Sequence, residues 1–246
     1  MYKPYIKPVI TAATDWKIPE PRISRLVIFA IRVLGRIYLF FYLGIARIVT
    51  RNGRPLFEAY QKALAGKSRC IIAFRHPNGG EAQILLWYIL FILRRKARKE
   101  GIKFCKRPFV SFVYGYEVVR WGGTIARWAM PGTGAMPIHH SKVDSAGMSR
   151  IFSAIIDGPY PLAIAPEGQV SYTTESIPRL EQGTVRIGFQ AAERLEKKDK
   201  NCPVEILPVS IHFRYGSMGR WSLNKLIRKI EKYTGFKQDG AGFNER

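Results

Sequence analysis

A histidine and an acid, His76 and Glu81, stand on either side of Pro77-Asn78-Gly79-Gly80, directly after the apolar run Ile71-Ile72-Ala73-Phe74. Five residues of ideal helix would turn the two side chains about 140° apart, so contact requires His76 on a turn and Glu81 in the first turn of a following helix. The proline and the paired glycines supply such a turn. A carboxylate on one imidazole nitrogen fixes the tautomer and leaves the other nitrogen to take a proton from a hydroxyl. That is half of a site for acyl transfer, with the backbone N–H groups of Gly79 and Gly80 as candidates to hold an oxyanion. Purely structural His–acid pairs share the spacing, which alone leaves both readings open.

Three further blocks follow in order: Met130-Pro131-Gly132-Thr133-Gly134-Ala135-Met136-Pro137-Ile138-His139-His140, then Ile164-Ala165-Pro166-Glu167-Gly168-Gln169-Val170-Ser171, then Val204-Glu205-Ile206-Leu207-Pro208-Val209. With the His76 segment they resemble the conserved blocks of the 1-acylglycerol-3-phosphate acyltransferase family, over residues 70–211. Pro166-Glu167-Gly168 with Ser171 is the most specific element. The resemblance implies a mixed sheet flanked by helices, a helical N-terminal membrane anchor, and no metal or bound cofactor. It further implies transfer of a fatty acyl group from acyl-CoA or an acyl-carrier protein to the hydroxyl of a lysophospholipid. His76 would be the general base with Glu81 as its partner, Glu167, Gly168 and Ser171 would belong to the acceptor site, and the block around Pro208 would line the acyl site.

The chain departs from that pattern at several places. The family has Asp where this chain has Glu81, and commonly Asn where it has Arg75. His140, with Lys142 nearby, stands where the second block has an arginine, and Gln169-Val170 replace a Thr-Arg pair. Either Arg75, His140 and Lys142 supply the phosphate contacts or the acceptor is not lysophosphatidate. Ser171 has no adjacent base in sequence, and Cys70, Cys105 and Cys202 lie outside the blocks or at a strand start, so no covalent nucleophile is indicated.

A chain of 246 residues, 47% hydrophobic, can bury a substantial core, which excludes disorder along its length. Its 40 Lys and Arg against 18 Asp and Glu give a net charge of +22, a surface suited to polyanions such as an anionic lipid leaflet, an acidic carrier or nucleic acid. Nucleic acid is disfavoured because zinc-finger spacing, RNP-like aromatics and a basic zipper are missing, while the basic clusters adjoin long apolar runs. The rival readings are thus a basic nucleic-acid-binding protein and a catalytically silent, lipid-binding member of the fold. Three scattered cysteines argue against a disulfide framework, and residues 1–20 lack the apolar block of a cleaved signal peptide. A membrane-associated protein with its catalytic domain on the cytoplasmic side is the expectation.

Two units are expected, a membrane-interface helical segment over residues 1–54 and an α/β domain over 55–246. Residues 26–49 are mostly apolar, with arginines at 22, 25, 32, 36 and 47 confined to an arc of roughly 80° on a helical wheel. That pattern suits a helix lying at a membrane interface better than one crossing it, though a tilted span with snorkelling arginines and a helix packed on its own domain both remain open. Gly35 and Gly44 are candidate breaks. Strands are expected at residues 69–74, 108–113, 135–138, 162–165 and 204–212, and helices at 81–98, after an Asp144 cap, and at 184–197.

Overall fold

The computed structural model describes residues 20–139 and 143–235. Short apolar segments bounded by Gly or Pro become five strands: β1 (Arg69–Phe74), β2 (Ser111–Gly115), β3 (Met136–Ile138), β4 (Leu162–Ile164) and β5 (Val204–Val209). They form one sheet in the order β3-β2-β4-β1-β5. β1 lies inside the sheet between β4 and β5 and is buried on both faces, which explains why it reads as a continuous apolar run rather than an alternating one.

Every pairing in this sheet is parallel, so the expected mixed sheet is corrected to a parallel one. The reason lies in the connections, since a helical segment separates each strand from the next and returns the chain to the starting edge. These crossovers are α3 (Glu81–Trp87) to α4 (Arg94–Lys99), α5 (Glu117–Trp121) with α6 (Gly123–Gly132), α7 (Ser145–Ile156) and α8 (Gly183–Glu196). Pro137 and Pro208 both sit in edge strands, where a missing N–H is tolerated.

The sheet divides two apolar layers. On one face α2 (Arg54–Leu64) and the α3–α4 segment pack Phe57, Tyr60, Leu85 and Ile89 against Ile72 and Phe112. On the other, α7 and α8 pack Ile151, Ile155, Ile187 and Leu195 against Ile71 and Leu162. The helix expected at 81–98 forms, but Tyr88–Leu93 is a π-helical turn that joins α3 to α4. Asp144 caps α7 as expected, its carboxylate accepting from Gly147 N at 2.8 Å.

The N-terminal apolar segment folds as α1 (Arg25–Phe41), and Gly35 does not break it. A Cβ at Gly35 would lie 2.7 Å from the Trp87 ring, so the missing side chain lets α1 press onto α3. Only Val27 and Leu39 of α1 are buried, while Leu26, Phe29, Val33, Leu34, Ile37 and Phe41 are each more than half exposed. At 17 residues α1 is about 26 Å long. No helix among the described residues is long and apolar enough to cross a membrane, so a spanning anchor is not supported. Arg36 turns back on the chain and donates to the carbonyls of Ile45 and Ala46 at 3.0 and 2.6 Å. The last long helix, α9 (Ser217–Thr234), was not anticipated from periodicity.

If Gly35 seats α1, Gly35→Leu places a side chain against Trp87 and destabilises the protein by about 1–3 kcal/mol through overpacking, more than the ~1 kcal/mol gained in helix propensity. Thermal unfolding checks this, and an unchanged or raised Tm contradicts the packing.

Candidate active site

The chain leaves β1 and β4 toward opposite faces of the sheet. After β1 it enters α3, whose Leu85 and Leu86 join one apolar layer; after β4 it reaches α8, whose Ile187 and Ala191 join the other. Because β1 and β4 are neighbours, the two loops depart from each other at the carboxyl edge, the location that ligands favour in parallel α/β sheets. His76 follows β1 by two residues and Glu167 follows β4 by three.

His76 Nδ1 lies 2.7 Å from Glu81 Oε2. Glu81 has no exposed surface, yet its carboxylate is satisfied: Asn78 N donates to Oε1 at 2.6 Å and Gly79 N to Oε2 at 2.8 Å. Gly79 adopts φ +101°, a backbone that side-chain-bearing residues rarely enter, and this aims its N–H back at the carboxylate. Glu81 is the first residue of α3, where a negative charge is also favoured by the helix dipole. An acceptor-only carboxylate accepts a hydrogen bond from the ring N–H at Nδ1, which leaves Nε2 with its lone pair. The Gly79 N–H is thereby spent, so of the two expected oxyanion donors only Gly80 remains a candidate.

His76 is held from its main chain as well. Ser171 N donates to His76 O at 3.0 Å, and the Ser171 hydroxyl approaches the same oxygen at 3.5 Å. Ser171 therefore ties the loop after β4 to the histidine. Gly168, at φ +68°, makes the turn that brings this loop round, its N–H donating to Ala165 O at 3.2 Å.

Arg75 and Glu167, 92 positions apart, form an ion pair at 2.6 Å with side chains only 12% and 1% exposed. Arg75 also donates through Nη2 to Thr173 O and Ser176 O, both at 2.9 Å. The guanidinium thus stitches the β4 loop to β1 and has only its Nη1 hydrogens left for a ligand. Burial, the largest influence on Glu167, raises its pKa, but hydrogen bonding to Arg75, then the Ser171 hydroxyl, the His76 backbone and the Arg75 charge outweigh it and hold the carboxyl below the ordinary glutamate range. Glu167 Oε2 is buried without a well-formed hydrogen bond.

His76, Glu81, Arg75, Glu167, Gly168 and Ser171 are therefore brought together. His140 and Lys142 lie outside the described residues. The structure also shows a group that the sequence reading did not bring together. Tyr114 at the end of β2, Tyr116 just after it, His139 after β3 and Arg150 on α7 meet at the same carboxyl edge of the sheet. His139 stacks on Tyr116 with ring centroids 3.8 Å apart, and Arg150 Nη2 reaches Tyr116 Oη and Pro137 O, both at 3.5 Å. Arg150 Nε and Tyr114 Oη are buried without a hydrogen-bond partner among the described residues. Burial, with Tyr116 adding and Arg150 opposing, pushes the Tyr114 hydroxyl up to about 12, so it stays a proton donor. Arg150 had a sequence signal, as it is the one charged residue in α7. A cleft of about 310 Å³ lined by Thr50, Arg54, Phe57, Lys96 and Glu100 contains none of these groups.

No family model matches the chain, and no curated protein matches it.

Because Glu167 has a lowered pKa in the fold, its contribution is fully present above the ordinary glutamate range and is lost as pH falls through the lowered value. Glu167→Gln should therefore cost about 3 kcal/mol at neutral pH, by leaving the largely buried Arg75 side chain without its counter-ion, and should flatten the loss of stability on acidification. Denaturant unfolding between neutral and acid pH measures both; identical stabilities and slopes contradict the pair.

Proposed function

We propose that the protein is an acyltransferase that uses His76 as general base to move a fatty acyl group from a thioester, acyl-CoA or acyl-carrier protein, onto the hydroxyl of a lysophospholipid at an anionic membrane surface. The observation that carries this reading is the His76–Glu81 contact at 2.7 Å with a fully buried, doubly hydrogen-bonded carboxylate. A surface ion pair needs no such enclosure. An imidazole oriented by a fixed anion at the carboxyl edge of a parallel α/β sheet is arranged to move protons. The order of the four sequence blocks supports the acyl-transfer class over other uses of a base.

In this mechanism the acceptor O–H donates to Nε2, and its proton passes there as the oxygen attacks the thioester carbonyl carbon. Glu81 stabilises the imidazolium that forms. The tetrahedral intermediate then expels the thiolate, which takes the proton back from Nε2 and leaves the neutral ring. No acyl-enzyme forms. Arg75 and Glu167 hold the two loops together through their mutual pairing. Recognition of the acceptor's phosphate falls to Arg150 rather than to Arg75, whose Nε and Nη2 hydrogens are taken by Glu167, Thr173 and Ser176.

With lysophosphatidate and a panel of acyl-CoA and acyl-carrier donors, His76→Ala should lower turnover by about 10²–10⁴-fold in a protein that still folds. Cys70→Ala, Cys105→Ala and Cys202→Ala should all turn over. An active His76→Ala variant, or an inactive but folded cysteine variant, contradicts the mechanism; vesicle binding with no turnover on any donor favours the silent lipid-binding member.

A further inference from the structure

The helix α9 contributes none of the site residues named above, and its sequence RWSLNKLIRKIEKY is divided lengthwise. At about 100° per residue, Lys225, Arg228, Lys229 and Lys232 fall within an arc of roughly 100°, while Leu223, Leu226, Ile227, Ile230 and Tyr233 occupy an arc of roughly 120° on the other side. The apolar arc is only partly used by the fold. Leu223 and Ile227 on one flank are half-buried, but Leu226 and Ile230 are about half exposed and Tyr233 is 80% exposed. An open apolar strip therefore runs along the C-terminal half of the helix with a cationic strip beside it.

We propose that α9 is a second lipid-contacting helix, lying in the headgroup layer of an anionic membrane with Leu226, Ile230 and Tyr233 toward the acyl boundary and Lys225, Arg228, Lys229 and Lys232 on lipid phosphates. Charge complementarity selects this occupant. A protein partner covering the apolar strip would meet four adjacent cations on a molecule of net charge +22, whereas an anionic leaflet satisfies both strips at once. Nucleic acid would use the cations but leave Leu226, Ile230 and Tyr233 in water. The inference rests on the membrane-surface part of the proposed function and is independent of the acyl-transfer chemistry.

The test places an environment-sensitive fluorophore on α9 of the full chain, at Tyr233→Cys in the apolar strip or Lys229→Cys in the basic strip. Both are made in a Cys105→Ser, Cys202→Ser background, since Cys70 is buried. With phosphatidylcholine vesicles containing phosphatidylglycerol, emission at position 233 should shift to the blue, and emission at 229 should move little. Added salt should reverse the shift, and Lys225→Gln, Arg228→Gln and Lys232→Gln should each weaken vesicle binding by about fivefold. Protein that sediments with vesicles while the label at 233 stays water-like overturns the role of α9 alone; protein that does not sediment overturns the membrane-surface reading with it. A blue shift at 233 without vesicles that grows with protein concentration assigns the strip to a second copy, and one elicited by duplex DNA assigns it to nucleic acid; either overturns the proposal.

Discussion

A carboxylate removed from water has to be compensated by hydrogen bonds or it destabilises the fold, and Glu81 is wholly removed from water. Its compensation comes from the Asn78 and Gly79 N–H groups and from the His76 ring. The turn between β1 and α3 has its shape because of that requirement. Gly79 must enter positive φ, Glu81 must open α3, and the imidazole must present Nδ1 inward. The free nitrogen of His76 is a consequence of how a buried charge is satisfied.

A second layer of constraint surrounds this turn. Ser171 grips the His76 carbonyl, and the Arg75–Glu167 pair with its two loop carbonyls holds the β4 loop beside β1. These contacts bridge segments that depart to opposite faces of the sheet, where the two loops would otherwise spread. Stability and site geometry share the same bonds. Each phosphate-recognition role assigned to Arg75 competes with a hydrogen bond that the loop needs.

Much of this was legible in the sequence. The His76–Glu81 contact follows from a turn-forming tetrapeptide between a strand and a helix, and β1, β4, α7 and α8 follow from apolar runs with clear caps and stops. Parallel pairing was not legible, because periodicity reports which residues are buried and not which way a neighbouring strand runs. The Arg75–Glu167 pair joins positions 92 apart, and no local pattern encodes that. Arg150 lies outside the second block, on α7, and no local pattern ties it to the carboxyl edge, where the fold brings it to Tyr116 and Pro137. The stretch at 81–98 gave no sign of its π-helical turn, and α9 was passed over because its exposed strip leaves a weaker apolar signal than a buried face. At the N-terminus, the apolar run over residues 26–49 overstated the helix, which ends at Phe41.

The central claim is that Glu81 fixes the His76 tautomer so that Nε2 is available as a base. Nitrogen-15 NMR of the histidine side chains, with His76 assigned by comparison with His76→Gln, measures this directly. The account predicts that the neutral ring carries its proton on Nδ1, with that proton shifted far downfield by the 2.7 Å contact, and an unprotonated Nε2. It also predicts that Glu81→Ala abolishes the downfield proton. A neutral His76 protonated on Nε2, or a spectrum unaffected by Glu81→Ala, would contradict it.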